Sequence, residues 1–209
     1  LAPGSPACAG AHSGLANVLY ERNELEAASA HCTIGLDLNR LVGEPLTHDL
    51  LRVQSMLIAA ALGDETRAEQ AIQQLDHFVG ASADRHSTSV QAMPRIRLAL
   101  WQGDLDEASR WGDRLMRLDG ESPIGYFDRL TLIRLLGILG NREELSQQVE
   151  RLYRIAGMEP VAPEWKGWLI PVSVAQALAA SDQEEALGFL AEALRAGEPE
   201  GWVRIFVDL

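Results

Sequence analysis

Lysine is almost missing from this chain: of its 18 basic residues, 17 are arginine, and Lys166 stands alone. A phosphate-binding loop of the G-x-x-x-x-G-K-[ST] type needs a lysine after its second glycine, yet Pro163, Glu164 and Trp165 precede Lys166, so that loop is excluded. Cysteine is nearly as scarce. Cys8 and Cys32 are too few for a disulfide framework or a four-ligand zinc site, and neither belongs to a C-x-x-C pair; a reducing compartment, the cytoplasm, is expected. Long apolar runs are lacking too. The longest, Met56 to Leu62, falls far short of the roughly 20 residues that span a bilayer, so no membrane partner is expected. Positive charge is in deficit: 30 acidic against 18 basic residues leave a net charge of -12, which argues against direct nucleic-acid contact by this chain. The opening Leu-Ala-Pro-Gly-Ser-Pro has neither the charged nor the apolar region of a secretion signal.

Catalytic constellations are lacking as well. There is no G-x-S-x-G elbow, and His12, His31, His48, His77 and His86 are never three or four apart, the spacing that a metal pair on one helix requires. His31 and Cys32 are adjacent, but neighbours on a helix point about 100° apart. Most carboxylates fall where helices begin, and there they complement the helix dipole. The reading is a protein that is not an enzyme and has no cofactor or metal.

What the chain does contain is a repeat. With 47% hydrophobic and 23% charged residues it can bury a core. A turn followed by a helix start recurs five times: Asn23-Glu-Leu-Glu-Ala-Ala28, Gly63-Asp-Glu-Thr-Arg-Ala68, Gly103-Asp-Leu-Asp-Glu-Ala108, Gly140-Asn-Arg-Glu-Glu-Leu145 and Ser181-Asp-Gln-Glu-Glu-Ala186. Each places Gly, Asn or Ser where one helix stops and acidic residues in the first turn of the next.

Aligned on the first residue of each corner, the flanks form columns. Seven residues before it stand Ala16, Met56, Ile96, Ile133 and Val174; four before, Leu19, Ala59, Ala99, Leu136 and Ala177. Five after it stand Ala28, Ala68, Ala108, Leu145 and Ala186; nine after, Cys32, Ile72, Gly112, Val149 and Leu190; twelve after, Gly35, Leu75, Leu115, Leu152 and Ala193. Spacings of three and four mark one helical face. Each repeat is therefore an A helix before the corner and an antiparallel B helix after it. The helices are predicted over 10–22 and 24–41, 47–62 and 64–79, 86–102 and 104–118, 124–139 and 141–156, and 165–180 and 182–196. Pro45, Pro123 and Pro163 fall between helices, whereas Pro94 and Pro171 should each kink or delay an A helix. One pair cannot bury its own apolar face, so the five must stack. The expected fold is all-α, a right-handed superhelix of about five antiparallel helix pairs forming one domain over 1–209. The start at Leu1 and the apolar run from Trp202 to Leu209 are read as the ends of a piece excised from a larger protein.

Two arginine columns stand out. Arg97 and Arg134 lie six residues before their corners, and Arg52 and Arg129 eleven before theirs. A helices line the inner surface of such solenoids, where guanidinium groups about 10 Å apart can grip a carboxylate, phosphate or sugar hydroxyls. Pairing with Asp or Glu of the next repeat is the alternative. Aromatics gather in the C-terminal half, where Trp168 and Tyr126 are candidates to stack on a ligand, with packing between repeats as the alternative. The candidate ligand-binding set is Arg52, Arg97, Tyr126, Arg129, Arg134 and Trp168.

Four stretches carry a family likeness: Leu19-Tyr-Glu-Arg-Asn-Glu-Leu-Glu-Ala-Ala28, Arg97-Leu-Ala-Leu-Trp-Gln-Gly-Asp104, Arg134-Leu-Leu-Gly-Ile-Leu-Gly140 and the ending Glu198-Pro-Glu-Gly-Trp-Val-Arg-Ile-Phe-Val-Asp208. With them the chain resembles the tetratricopeptide-like region of the MalT-like regulators, ATP-dependent transcription activators of the LuxR class. The resemblance implies a region that senses a small-molecule effector and associates with other protomers, while the ATPase and DNA-binding modules lie elsewhere in such proteins. The other reading is a tetratricopeptide-type scaffold that takes a peptide or partner protein in its concave groove.

Overall fold

In the computed structural model, residues 5–79, 85–121, 125–158 and 169–208 are described. They contain eleven α-helices and no strand, the all-α pattern of tetratricopeptide-like repeats. The A and B helices alternate: α1 (Ala9–Glu21) and α2 (Leu25–Val42), α3 (Pro45–Ala61) and α4 (Glu65–Val79), α5 (Arg85–Gln102) and α6 (Leu105–Glu121), α7 (Tyr126–Leu139) and α8 (Arg142–Met158), α9 (Leu169–Ala179) and α10 (Gln183–Gly197). A short α11 (Arg204–Val207) follows.

The corners show why the repeat motif has its composition. Asn23, Gly63, Gly103 and Gly140 take φ of 61°, 74°, 76° and 69°, the left-handed region that costs glycine nothing and that asparagine tolerates. The next residue then donates its N–H five residues back, Glu24 to the Leu19 carbonyl, Asp64 to Ala59, Asp104 to Ala99 and Asn141 to Leu136, at 2.8, 2.9, 2.8 and 3.0 Å. This ends the A helix while satisfying its last carbonyls. Asp64 also starts the B helix, its Oδ1 accepting from the Arg67 N–H at 3.0 Å. At Ser181 the device differs: Glu185 accepts from the Ser181 N–H while Asp182 accepts from the Glu185 N–H, 3.0 and 2.9 Å.

The chain forms two compact units divided between Leu105 and Asp106. In the first, α1 packs on α2 and α3, α3 on α2, α4 and α5, and α4 on α5. Ala16, Tyr20, Ala28, Cys32, Leu51 and Ile58 form one core cluster there, and Met56, Ala59, Ala68, Ala71, Ile72 and Leu98 another. In the second unit α7 packs on α8 and α9, α9 on α8 and α10, and α11 closes on α9. Its cores are Ile133, Leu136, Leu145, Val149, Leu152, Val172 and Ala175, then Ile170, Val174, Ala193 and Ile205, with Trp202 and Phe206 packed against the latter. The repeat columns are thus core positions. The column seven before the corner is buried throughout, while Leu19, Ala177, Ala186 and Leu190 of the others are half-buried.

Three details add to the sequence expectation. α3 begins at Pro45 itself, with Glu44 as its cap, because proline at the first helical position loses no hydrogen bond. α5 runs from Arg85 to Gln102, within one residue of the expected span, with Pro94 buried inside it. The ending is an αL glycine, Gly201, followed by α11, whose aromatic neighbours cover the last helix pair.

Candidate functional site

Arg52 and Arg129 occupy one repeat position, and their surroundings define the site. In the second unit Arg129 is 1% exposed. Its guanidinium grips Asp119 of α6 through both oxygens, at 2.7 and 3.1 Å, and also donates to Gln148 of α8. Arg151 adds a bond of 2.5 Å to the same carboxylate, and Gln148 donates to Glu144 at 2.9 Å. Two cations meet two carboxylates, and three helices are tied together. The pairing alternative raised for the arginine columns is what Arg129 adopts, with Asp119 of the preceding repeat as its partner.

Counting from the corners, the same places in the first unit hold different chemistry. Asp119 corresponds to Asn39, Gln148 to Ala71, Arg151 to Gln74 and Glu144 to Arg67. Arg52 is retained while its carboxylate has become an amide, the bulky amide beside it has become a methyl group, and the second carboxylate has become a second cation. The result is a cleft of about 200 Å³ among α2, α3 and α4, lined by Asp37, Arg40, Arg52, Arg67, Ala71 and Gln74 among others. Arg52 donates to Gln74 and, at 3.5 Å, to His48; Arg67 donates to the Ser29 hydroxyl at 2.9 Å. Among the described residues neither has a carboxylate within ion-pair distance. On the rim Arg40 and Asp37 pair with each other at 2.9 Å and cancel.

Burial, and then the nearby charge of Arg40, push the Arg52 guanidinium below its ordinary pKa. Beneath the cleft Cys32 is a core thiol, 1% exposed, its Sγ donating to the Leu51 carbonyl at 3.2 Å and its pKa pushed up to about 12 by burial. A thiol so placed stays protonated and inert.

The other candidates are placed as follows. Arg97 is half-buried on α5 and donates to the Tyr20 hydroxyl at 3.5 Å. Arg134 is half-buried on α7. Tyr126 packs against the α7–α8–α9 core and meets the Phe127 ring edge-on, centroids 5.5 Å apart; burial raises its phenol pKa. Trp168 lies outside the described residues. Arg52 and Arg97 belong to the first unit, Tyr126, Arg129 and Arg134 to the second.

Two features escaped sequence reasoning. Arg67 shows no pattern of its own, and only the spatial meeting of α3 and α4 makes it a partner of Arg52. His12 and His31, 19 residues apart, meet across the α1–α2 hairpin with their Nδ1 atoms 2.8 Å apart, a pairing that spacing rules for one helix cannot detect. Among the described residues no group of three or more His, Cys, Asp or Glu side chains is arranged to hold a metal.

Comparison with known families decides the identity. The MalT-like TPR region model matches residues 2–209, essentially the whole chain. The chain belongs to the MalT-like TPR region family. Helical repeats of this kind are typically regulatory or interaction regions rather than catalysts. No curated protein and no solved structure matches the chain. Among the described residues no helix is long and apolar enough to cross a membrane.

Proposed function

We propose that this MalT-like TPR region is the effector-sensing and self-association part of a LuxR-class transcription activator, acting in the cytoplasm and without catalysis of its own. Family membership supplies the regulatory setting, and the observation that carries the sensing role is the α2–α3–α4 cleft. Cations are scarce in this acidic chain, and seven of them, Arg40 on the cleft rim and Arg95, Arg110, Arg129, Arg151, Arg154 and Arg204 away from it, are each paired with a carboxylate. Arg52 and Arg67 instead hold neutral partners beside open space. A ligand that neutralises them would bind the folded form selectively and raise its apparent stability.

The test is thermal unfolding of the chain against a panel of small metabolites, with sedimentation measured on any that bind. A saturable rise in Tm accompanied by a change in self-association is expected. A panel without effect, alongside specific retention of a peptide or partner protein, would replace the sensor with a peptide-binding scaffold.

A further inference from the structure

The cleft, taken as the sensor's site, also specifies what it would take, and in this the inference rests on the sensor reading. We propose that the α2–α3–α4 cleft binds a small oxyanion carrying two negative charges, a dicarboxylate or a phosphate, gripped by Arg52 and Arg67.

The template is inside the molecule. At Arg129 the fold holds a carboxylate between two guanidinium groups, with the Arg129 fork on both oxygens of Asp119 and Arg151 closing on one of them. At Arg52 the arginine remains while the resident anions are gone: Asn39 stands for Asp119 and Arg67 for Glu144. Space is provided by the same set of changes, because Ala71 replaces the glutamine that fills the corresponding volume beside Arg129. The second cation is supplied from a different position, Arg67 four residues after its corner where Arg151 stands eleven after its own, so two guanidinium groups still line one cavity. Charge-neutral neighbours hold both in place, Gln74 for Arg52 and Ser29 for Arg67, which orders the arginines without neutralising them.

Size and charge narrow the ligand. A cavity of about 200 Å³ is below the ~300–1,000 Å³ that accepts a drug-sized molecule, so the occupant is small. Arg40 and Asp37 offset each other on the rim, which leaves two uncompensated positive charges for the ligand to meet. Planar guanidinium forks favour carboxylate or phosphate oxygens over halide. A neutral sugar would leave the charge uncancelled.

The experiment titrates the chain at low ionic strength with inorganic phosphate, succinate and, as a neutral control, glucose, reading heat of binding and Tm. Phosphate or succinate should bind saturably, and the stronger of the two tells phosphate from carboxylate chemistry. Arg52→Gln and Arg67→Glu should each weaken that binding about ten- to hundredfold, the loss of a charge-assisted contact. Arg110→Gln, an exposed pair on α6, should leave it unchanged. Arg67→Glu guards against misfolding, because a carboxylate in the first turn of α4 is favourable to the helix and matches Glu144 in the other unit. Absence of binding by both anions, or binding that survives both cleft variants, would overturn the site. If a neutral metabolite stabilises the chain and its Arg67→Glu variant equally, the sensor reading stands and the oxyanion site falls. If an anion binds in the cleft without altering self-association, the site stands and the sensor reading falls.

Discussion

The two units place an arginine at the same point of the same repeat and use it oppositely. Arg129 is enclosed by Asp119, Gln148 and Arg151, whereas Arg52 faces a cleft with an amide, a hydroxyl and a second arginine for company. The backbone device is shared: Gly140 and Gly63 both end their A helices in left-handed turns, and Ile133 and Met56 both pack seven residues before those turns. Around the arginine the side chains differ: Asp119, Gln148, Arg151 and Glu144 stand where the first unit has Asn39, Ala71, Gln74 and Arg67. The lesson is that a repeat scaffold separates the residues that specify stacking from those that decide whether a buried charge is structural or available. Four substitutions around a retained arginine are enough to change its use.

Breaking the second unit should have the largest effect. Arg129→Ala leaves Asp119, with a side chain only 3% exposed, without its principal partner. Removing one member of such a pair costs about 3–5 kcal/mol, because the remaining charge stays buried. Urea unfolding should show that loss, and Asp119→Ala should show one of similar size. A loss below about 1 kcal/mol in either would mean that the network contributes little and that the contrast with Arg52 is one of geometry alone.

Glu144→Arg imposes the first unit's charge pattern on the second. Gln148 is 1% exposed and donates to Glu144, so the exchange removes an acceptor and adds a cation beside Arg129 and Arg151. About 1–2 kcal/mol of destabilisation is expected by urea melt, the cost of an unsatisfied buried donor. The reciprocal change, Arg67→Glu in the first unit, should alter stability by less than about 0.5 kcal/mol, since the position is only half-buried and the new carboxylate faces Arg52. Unequal costs for matching exchanges would sharpen the comparison, and equal costs would dissolve it.

How much of this was readable without coordinates follows from where the information resides. Corners and columns are local: glycine or asparagine in the left-handed region, aspartate at the cap, and apolar residues three and four apart announce themselves in one dimension. Hence the predicted helices lie within a few residues of those found from α1 to α10. Arg52 was also reachable, since a repeat column singles it out. Its counterpart's burial was not, because Asp119 lies in another repeat and nothing about an aspartate near a helix end marks it as internal. Arg67 and the His12–His31 meeting depend on which helix faces lie together, a property of tertiary packing. The α11 turn was hidden for a further reason: a four-residue helix is held by Trp202 and Phe206 against α9 and α10, and its own periodicity is too short to register.

The smallest expected effect concerns pH and again separates the arginines. His48, one turn before Arg52 on α3, has its pKa lowered below 6.5, chiefly by burial and further by the Arg52 charge, although its bond to Asp49 works the other way. Neutral His48 accepts from Arg52 Nε at 3.5 Å, so a proton on the imidazole would set two cations face to face. A histidine whose pKa is depressed on folding contributes stability that is present above its unfolded value and is lost as pH falls through the folded one. The first unit should therefore weaken as pH drops below 6.5, and His48→Gln, which keeps an acceptor without titrating, should flatten that part of the Tm–pH curve. Among the described residues Arg129 has no histidine as a hydrogen-bond partner. Hydrogen exchange resolved along the chain should then show protection falling around α3 before it falls around α7. Loss at both places together, or a curve unchanged in His48→Gln, would show that the pH response arises elsewhere and that this difference between the two arginine sites has no thermodynamic consequence.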